Sequence, residues 1–188
     1  MFKKILFIGF MLLLFMSVHI SAKEVAGINL PETLKAGQDE LILNGAGTRT
    51  FFFKSIYVGA LYLKHPTTDA SAIIDGNIPM AIKLHIVSSL ITSKKMEKAT
   101  REGFEKSTGG QMAAIQEQIE SFINVFKDQI KVDDVYDIIF IPEEGIKVYK
   151  NGEFKASASG IAFKKALFGI WLGNDPVQDH LKNAMLGN

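Results

Sequence analysis

Apolar positions along this chain change period several times, and each change marks an element. From Ile56 to Leu63 nearly every residue is apolar or aromatic. Period-two alternation places Tyr57, Gly59, Leu61 and Leu63 on one face and Ile56, Val58, Ala60 and Tyr62 on the other. No solvated face is left, which predicts a central strand with helices on one side and more protein or a ligand on the other. Met80 to Val87 alternates in the same way through Ile82, Leu84 and Ile86. Val135 to Ile141 and Gly145 to Lys150 read as strands joined by Pro142-Glu143-Glu144, and Asn151-Gly152 is a type I′ hairpin signal leading to one more short strand. Upstream, Val25, Ile28 and Leu30 read as an edge strand broken by Pro31. Leu41, Ile42 and Leu43 form a second strand that enters a glycine turn at Gly45-Ala46-Gly47.

Elsewhere the period is that of a helix. Asp69 can cap a short helix running to Ile74 and stopped by Gly76. Thr92 or Ser93 opens a longer one with Met96, Ala99, Gly103 and Phe104 on one face and charged residues on the other. Thr108-Gly109-Gly110 interrupts it. Met112, Ile115, Ile119, Phe122, Ile123 and Phe126 then repeat the stripe, which in a chain of this size faces a core. Ile161 to Leu172 forms a helix closed by Gly173, and Asp175 with Pro176 is expected to start the last, burying Val177, Leu181, Ala184 and Met185. Strand-rich halves with helices interposed in pairs argue for an α+β fold with a largely antiparallel sheet.

The first residues belong to none of this. Lys3 and Lys4 precede an apolar run from Ile5 to Met16, with Ser21 and Ala22 as small residues at its end. A spanning helix needs about 20 apolar residues, and this run is shorter. Residues 1–22 therefore read as a cleaved signal peptide, with the mature protein starting at Lys23 and residues 23–188 as one domain in the periplasm or outside the cell. No membrane span is expected after cleavage. The chain has no cysteine, so an exported fold of this kind relies on its core instead of disulfides. A formal net charge of +1, with lysines scattered among acids, excludes nucleic acid as a partner.

Candidate chemistry is sparse. His65, His85 and His180 are isolated, so no metal site is expected. Asp133-Asp134 and Glu143-Glu144 are adjacent pairs suited to turns or surface, and no nucleophile elbow, P-loop or dinucleotide fingerprint is present. No cofactor is implied. Arg49 is one of two arginines in a chain whose other cations are lysines. Its planar fork of donors suits a carboxylate or an oxyanion at the edge of an apolar interior; pairing with a neighbouring Asp or Glu, or simple exposure to water, is the equally weighted alternative on these residues alone.

Three stretches together resemble the exported bacterial branch of the chalcone isomerase-like family. They are Asn44 to Arg49, Phe53 to Leu63, and Trp171-Leu172-Gly173-Asn174-Asp175-Pro176-Val177 continuing to Lys182. The resemblance implies an open-faced β-sandwich, a large mainly antiparallel sheet covered by a helical layer with a ligand cleft between them. Family isomerases use an arginine, a Tyr and an Asn on a helix, and further hydroxyls to close a flavanone ring, whereas some of the non-catalytic relatives bind fatty acids. Arg49 matches the arginine. The helix offers only Thr100 and Ser107 where Tyr and Asn are expected, the strand hydroxyl falls on Tyr57, and the late Thr or Ser position on Ile170.

Without the groups that orient an oxyanion against an enone, the proximity contribution to ring closure is missing. A fatty-acid site needs less: an arginine, a tyrosine or similar donor, and an apolar cavity. The reading is therefore a non-catalytic binding protein for a fatty acid or similar apolar carboxylate, with Arg49, Tyr57 and Tyr62 as ligand-binding candidates and Lys54 in reserve. An isomerase acting on an unidentified substrate, with Arg49 as electrostatic catalyst, is the alternative. An envelope interaction protein with a filled cleft is the third. A tail of about 14 methylenes at roughly 0.8 kcal/mol each would contribute on the order of 11 kcal/mol. Arg49 and Tyr57 would lie roughly 26 Å apart on one straight strand, so the chain must fold back near Phe51 to Phe53 if they share a head group. Otherwise Tyr57 is a packed core aromatic.

Overall fold

The computed structural model describes residues 23–188; the expected signal peptide lies outside the described residues. Nine strands and five α-helices follow in chain order: β1 (Lys23–Val25), β2 (Ile28–Leu30), β3 (Thr33–Ala36), β4 (Asp39–Phe51), β5 (Lys54–Leu63), α1 (Ala70–Asp75), β6 (Met80–Ile86), α2 (Ser93–Thr108), α3 (Gln116–Ile123), β7 (Val135–Ile141), β8 (Gly145–Lys150), β9 (Glu153–Ala158), α4 (Ile161–Leu172) and α5 (Asp179–Met185). Strands β3 to β9 form one antiparallel sheet in sequence order. The curled sheet and its helical layer give the α+β, open-faced architecture expected from the sequence.

Two cores result, one on each face. The larger holds the helix side, where Leu61, Ile82, Tyr136 and Val148 of the sheet meet Phe104, Phe122, Phe163, Leu167, Phe168 and Trp171. Phe104 and Phe163 stack at 5.6 Å between ring centroids. The smaller lies on the other face, where Val58, Ala60, Tyr62 and Ala81 meet Leu30, Ala36 and Leu41. Every residue from Ile56 to Leu63 is buried, as its two-sided apolar pattern requires.

Several elements fall where local chemistry places them. Thr92 caps α2, its hydroxyl accepting from the Lys95 N–H, and Gly109 ends the helix in the left-handed region. Asp69 caps α1 through the Ala72 N–H. Asn151 and Gly152 make the β8–β9 turn at φ of 53° and 80°.

Five expectations are corrected. Gly45 and Gly47 do not turn; they lie inside the long strand β4. Glycine is required there because α5 crosses the strand at contact distance: a Cβ on Gly45 would sit 2.3 Å from the Ala184 carbonyl oxygen, and one on Gly47 2.6 Å from the Ala184 Cβ. Val25 and Ile28 belong to separate strands, β1 and β2, which form their own hairpin, and the edges of the large sheet are β3 and β9. The second helical stripe is split into α3 with a 3-10 turn at each end. The last helix starts at Asp179, not after Asp175, because Gln178 ahead of it is held extended by Thr50: the Thr50 N–H donates to Gln178 Oε1 at 2.9 Å and Gln178 Nε2 donates to the Thr50 carbonyl at 3.0 Å. Finally, a bulge opposite Arg49 and Thr50 inserts Ile56, so Ile56 joins Tyr57 in the helix-side core instead of following alternation.

Candidate ligand-binding site

The hairpin between β4 and β5 builds the site. The chain reverses at Phe52 and Phe53, so Arg49 and Tyr57, eight positions apart in sequence, stand opposite each other in the ladder. The fold-back expected near Phe51 to Phe53 is therefore present. The Arg49 guanidinium carbon lies 5.8 Å from the centroid of the Tyr57 ring. Beneath it the Trp171 indole N–H of α4 donates to the Tyr57 hydroxyl oxygen at 2.9 Å. Burial pushes the Tyr57 phenol above its usual range, while the Arg49 charge and the Trp171 donor pull it partway back. The phenol is thus neutral at physiological pH and keeps a proton to donate.

A groove opens beside Arg49, while Tyr57, the other half of the pair, is buried in the core and does not line it. Its volume is about 240 Å³, and it is walled by Arg49, Phe51 and Ile56 from the hairpin, Leu90 and Ile91 from the loop before α2, and Met96 and Ala99 of α2. Lys95, Lys98 and Glu102 stand on the same wall. Among the described residues no carboxylate forms an ion pair with Arg49. Glu102, the acid on the groove wall, lies 3.7 Å from Lys98 instead. Lys95 donates to the Leu90 carbonyl at 2.9 Å and lies 5.8 Å from the Phe51 ring centroid, which ties α2 to the hairpin across the groove.

The remaining candidates do not join them. Tyr62 sits on the opposite sheet face, where its hydroxyl donates to the Pro31 carbonyl at 2.9 Å. Its parity relative to Tyr57 already separated the two, and the structure removes it from the site. Lys54 is exposed at the start of β5. Thr100 is buried on α2, Ser107 donates back to the Phe104 carbonyl, and Ile170 is packed where a Cβ on Gly103 would meet its Cγ2 at 2.8 Å. The isomerase-type set of hydroxyls and an amide is absent at those positions. Trp171 was legible only as a burial candidate; nothing in its spacing pointed to the Tyr57 hydroxyl.

Comparison with known proteins bears on this geometry. The profile of the chalcone isomerase-like family matches residues 22–187. The chain belongs to this family. Among solved structures it is similar to a fatty-acid binding protein from Arabidopsis thaliana, with a TM-score of 0.66 at 17% identity, covering 85% of this chain and 92% of that one. That likeness is one of fold. No curated protein matches the chain by sequence. As a chalcone isomerase-like protein, the chain presents its arginine at the mouth of an apolar groove, keeps the strand tyrosine buried behind it in the core, and leaves the helical Tyr and Asn positions without equivalents.

Proposed function

We propose that this chalcone isomerase-like protein is a non-catalytic, exported binding protein for an apolar carboxylate such as a fatty acid. Arg49 takes the carboxylate, the buried Tyr57 behind it supports the guanidinium through its ring face, and the acyl chain lies in the groove under α2. The observation that carries the reading is Arg49 itself, a half-buried guanidinium beside an apolar groove with no carboxylate partner among the described residues. The groove volume of about 240 Å³ corresponds to roughly eight methylene-sized units at the ~30 Å³ that a water-sized unit occupies. The ligand is thus a medium-length acyl chain, or the head-proximal part of a longer one. Eight methylenes contribute on the order of 6 kcal/mol and a charge-assisted bond about 1.5–3 kcal/mol. Against an association cost of at least about 4 kcal/mol, the tail supplies affinity and Arg49 supplies orientation.

Calorimetric titration of lipid-stripped protein with decanoate and with methyl decanoate tests this. Wild type is expected to prefer the acid, and Arg49→Ala to lose that preference while still binding the ester. Equal affinity of wild type for acid and ester overturns the head-group role. Chalcone turnover above the Arg49→Ala background would favour the isomerase reading instead.

A further inference from the structure

The tip of the β4–β5 hairpin carries three consecutive phenylalanines, and none of them belongs to either core. Phe51, Phe52 and Phe53 are 48%, 79% and 103% exposed. Phe52 and Phe53 have φ of 45° and 65°, in the left-handed region that bulky side chains rarely adopt. The same chain closes its β8–β9 hairpin with Asn151-Gly152 in that conformation, which is the pair this geometry favours. Aromatic residues at the β4–β5 tip are thus strained and solvated at once.

We propose that this tip is a docking wedge for an anionic phospholipid bilayer. Phe52 and Phe53 enter the interfacial layer, where aromatic rings are favoured over water, and basic residues around the tip meet the headgroups. Lys54 is exposed on the tip itself, and Lys94, Lys95 and Lys98 are exposed along the adjoining start of α2. Lys95 stands over the Phe51 ring. The facing acids are Glu97 and Glu102 on α2, of which Glu102 lies 3.7 Å from Lys98, Asp179 beside the Gln178 that holds Thr50, and Asp128, whose carbonyl accepts from Ser93 at the start of α2 and which the exposed Lys127 adjoins. No helix among the described residues is long and apolar enough to cross a membrane, so the contact is interfacial.

The second observation is continuity with the groove. Phe51 belongs both to the exposed tip and to the groove wall. Seating Phe52 and Phe53 in a bilayer places the groove mouth against the lipid surface, and an acyl chain can pass between them without crossing bulk water. This purpose rests on the acyl-carboxylate reading of the groove; the docking itself does not.

Flotation of the purified protein with vesicles tests it, using phosphatidylcholine alone and phosphatidylcholine mixed with phosphatidylglycerol. Wild type is expected to float with the mixed vesicles, and less in high salt, which screens the lysine contribution. The swap Phe52→Asn/Phe53→Gly installs the favoured turn pair, so it preserves the fold, and should lower partitioning at least about tenfold. Its affinity for decanoate in vesicle-free buffer should be unchanged, and Lys54→Glu should reduce flotation with the anionic vesicles. The proposal is overturned if wild type does not float or if the swap floats equally well. It is also overturned if wild type is a dimer that the swap dissociates with no flotation in either, since a second copy then covers the tip. Flotation by a protein that fails to bind decanoate would retain the wedge and remove the acyl reading.

Discussion

Arg49 and Tyr57 face each other across β4 and β5, with the guanidinium 5.8 Å from the ring centroid and the Trp171 N–H bonded to the phenol from below. Arg49 and Tyr57 come from one hairpin and Trp171 from α4, far along the chain, and the three form one stack from groove to core. Tyr57→Phe removes the acceptor of a buried indole N–H. It should cost about 1–3 kcal/mol of stability by urea denaturation and leave decanoate affinity within a few-fold of wild type, because the phenylalanine ring still supports Arg49.

Arg49→Lys keeps the charge but loses the planar fork, and lysine cannot bind a carboxylate bidentately. Decanoate affinity should fall, though less than in Arg49→Ala. The Ala variant should lose roughly 10–100-fold, the equivalent of about 1.5–3 kcal/mol. Isothermal titration gives both.

Phe52→Asn/Phe53→Gly should stabilise the protein. Relief of two left-handed aromatic residues is worth about 1–2 kcal/mol each at most, so the urea midpoint rises. An unchanged or lower midpoint would show that the tip aromatics contribute to folding after all.

Lys164 of α4 has no exposed surface, and its ammonium donates to the carbonyls of Ile73, Ile74 and Gly76 at 2.7, 2.8 and 2.7 Å, closing the end of α1. Lys164→Met leaves three carbonyls without this donor and should cost about 3 kcal/mol or more. Burial, with a smaller effect from Lys165, lowers the Lys164 amine to about 8, whereas an unfolded lysine titrates near 10.4. Between these values the unfolded state binds more protons, so unfolding free energy rises with pH from about 8 towards 10, by up to about 3 kcal/mol. Above pH 10 the buried Tyr57, Tyr62 and Tyr136, whose phenols burial pushes upward, reverse the trend. Denaturation at pH 7, 8, 9 and 9.5 should show the rise in wild type and not in Lys164→Met.

Gly45→Ala drives a methyl into the backbone of α5, within 2.3 Å of a carbonyl oxygen. Helix α5 must move off the sheet, at a cost of about 2 kcal/mol or more. Gly59→Ala, whose Cβ would lie 3.4 Å or more from its neighbours, should be far milder. Thermal melts of the two separate a close approach from a general intolerance of alanine.

The proposed export is checked by the mass of the protein secreted from its natural host. A mature chain beginning at Lys23 is expected; retention of residues 1–22 would contradict cleavage at Ala22.

Local signals were readable wherever a residue's partners lie within a turn or two. Thr92 and Asp69 as caps, the Asn151-Gly152 hairpin and the doubly buried run from Tyr57 to Leu63 all stand as their spacing indicates. Gly45 and Gly47 misled because glycine marks a turn and a close approach alike, and the neighbour that decides between them, Ala184, lies far along the chain. Ile56 misled because a bulge cancels alternation for one residue. Lys164 gave no warning at all, since a lysine on an otherwise apolar helix reads as a solvent-facing stem unless the carbonyls of α1 are known to lie beyond it.

The order of residues by itself determined the α+β class, the position of most strands and helices, and Arg49 as the residue of interest, because periodicity, capping and residue chemistry are short-range properties. Tertiary structure alone decided that Tyr57 and not Tyr62 stands beside Arg49, that Trp171 supports the phenol, and that a groove opens under α2. Those facts depend on hairpin register and on which face each strand turns to the helices, and both are settled by packing between segments distant in sequence.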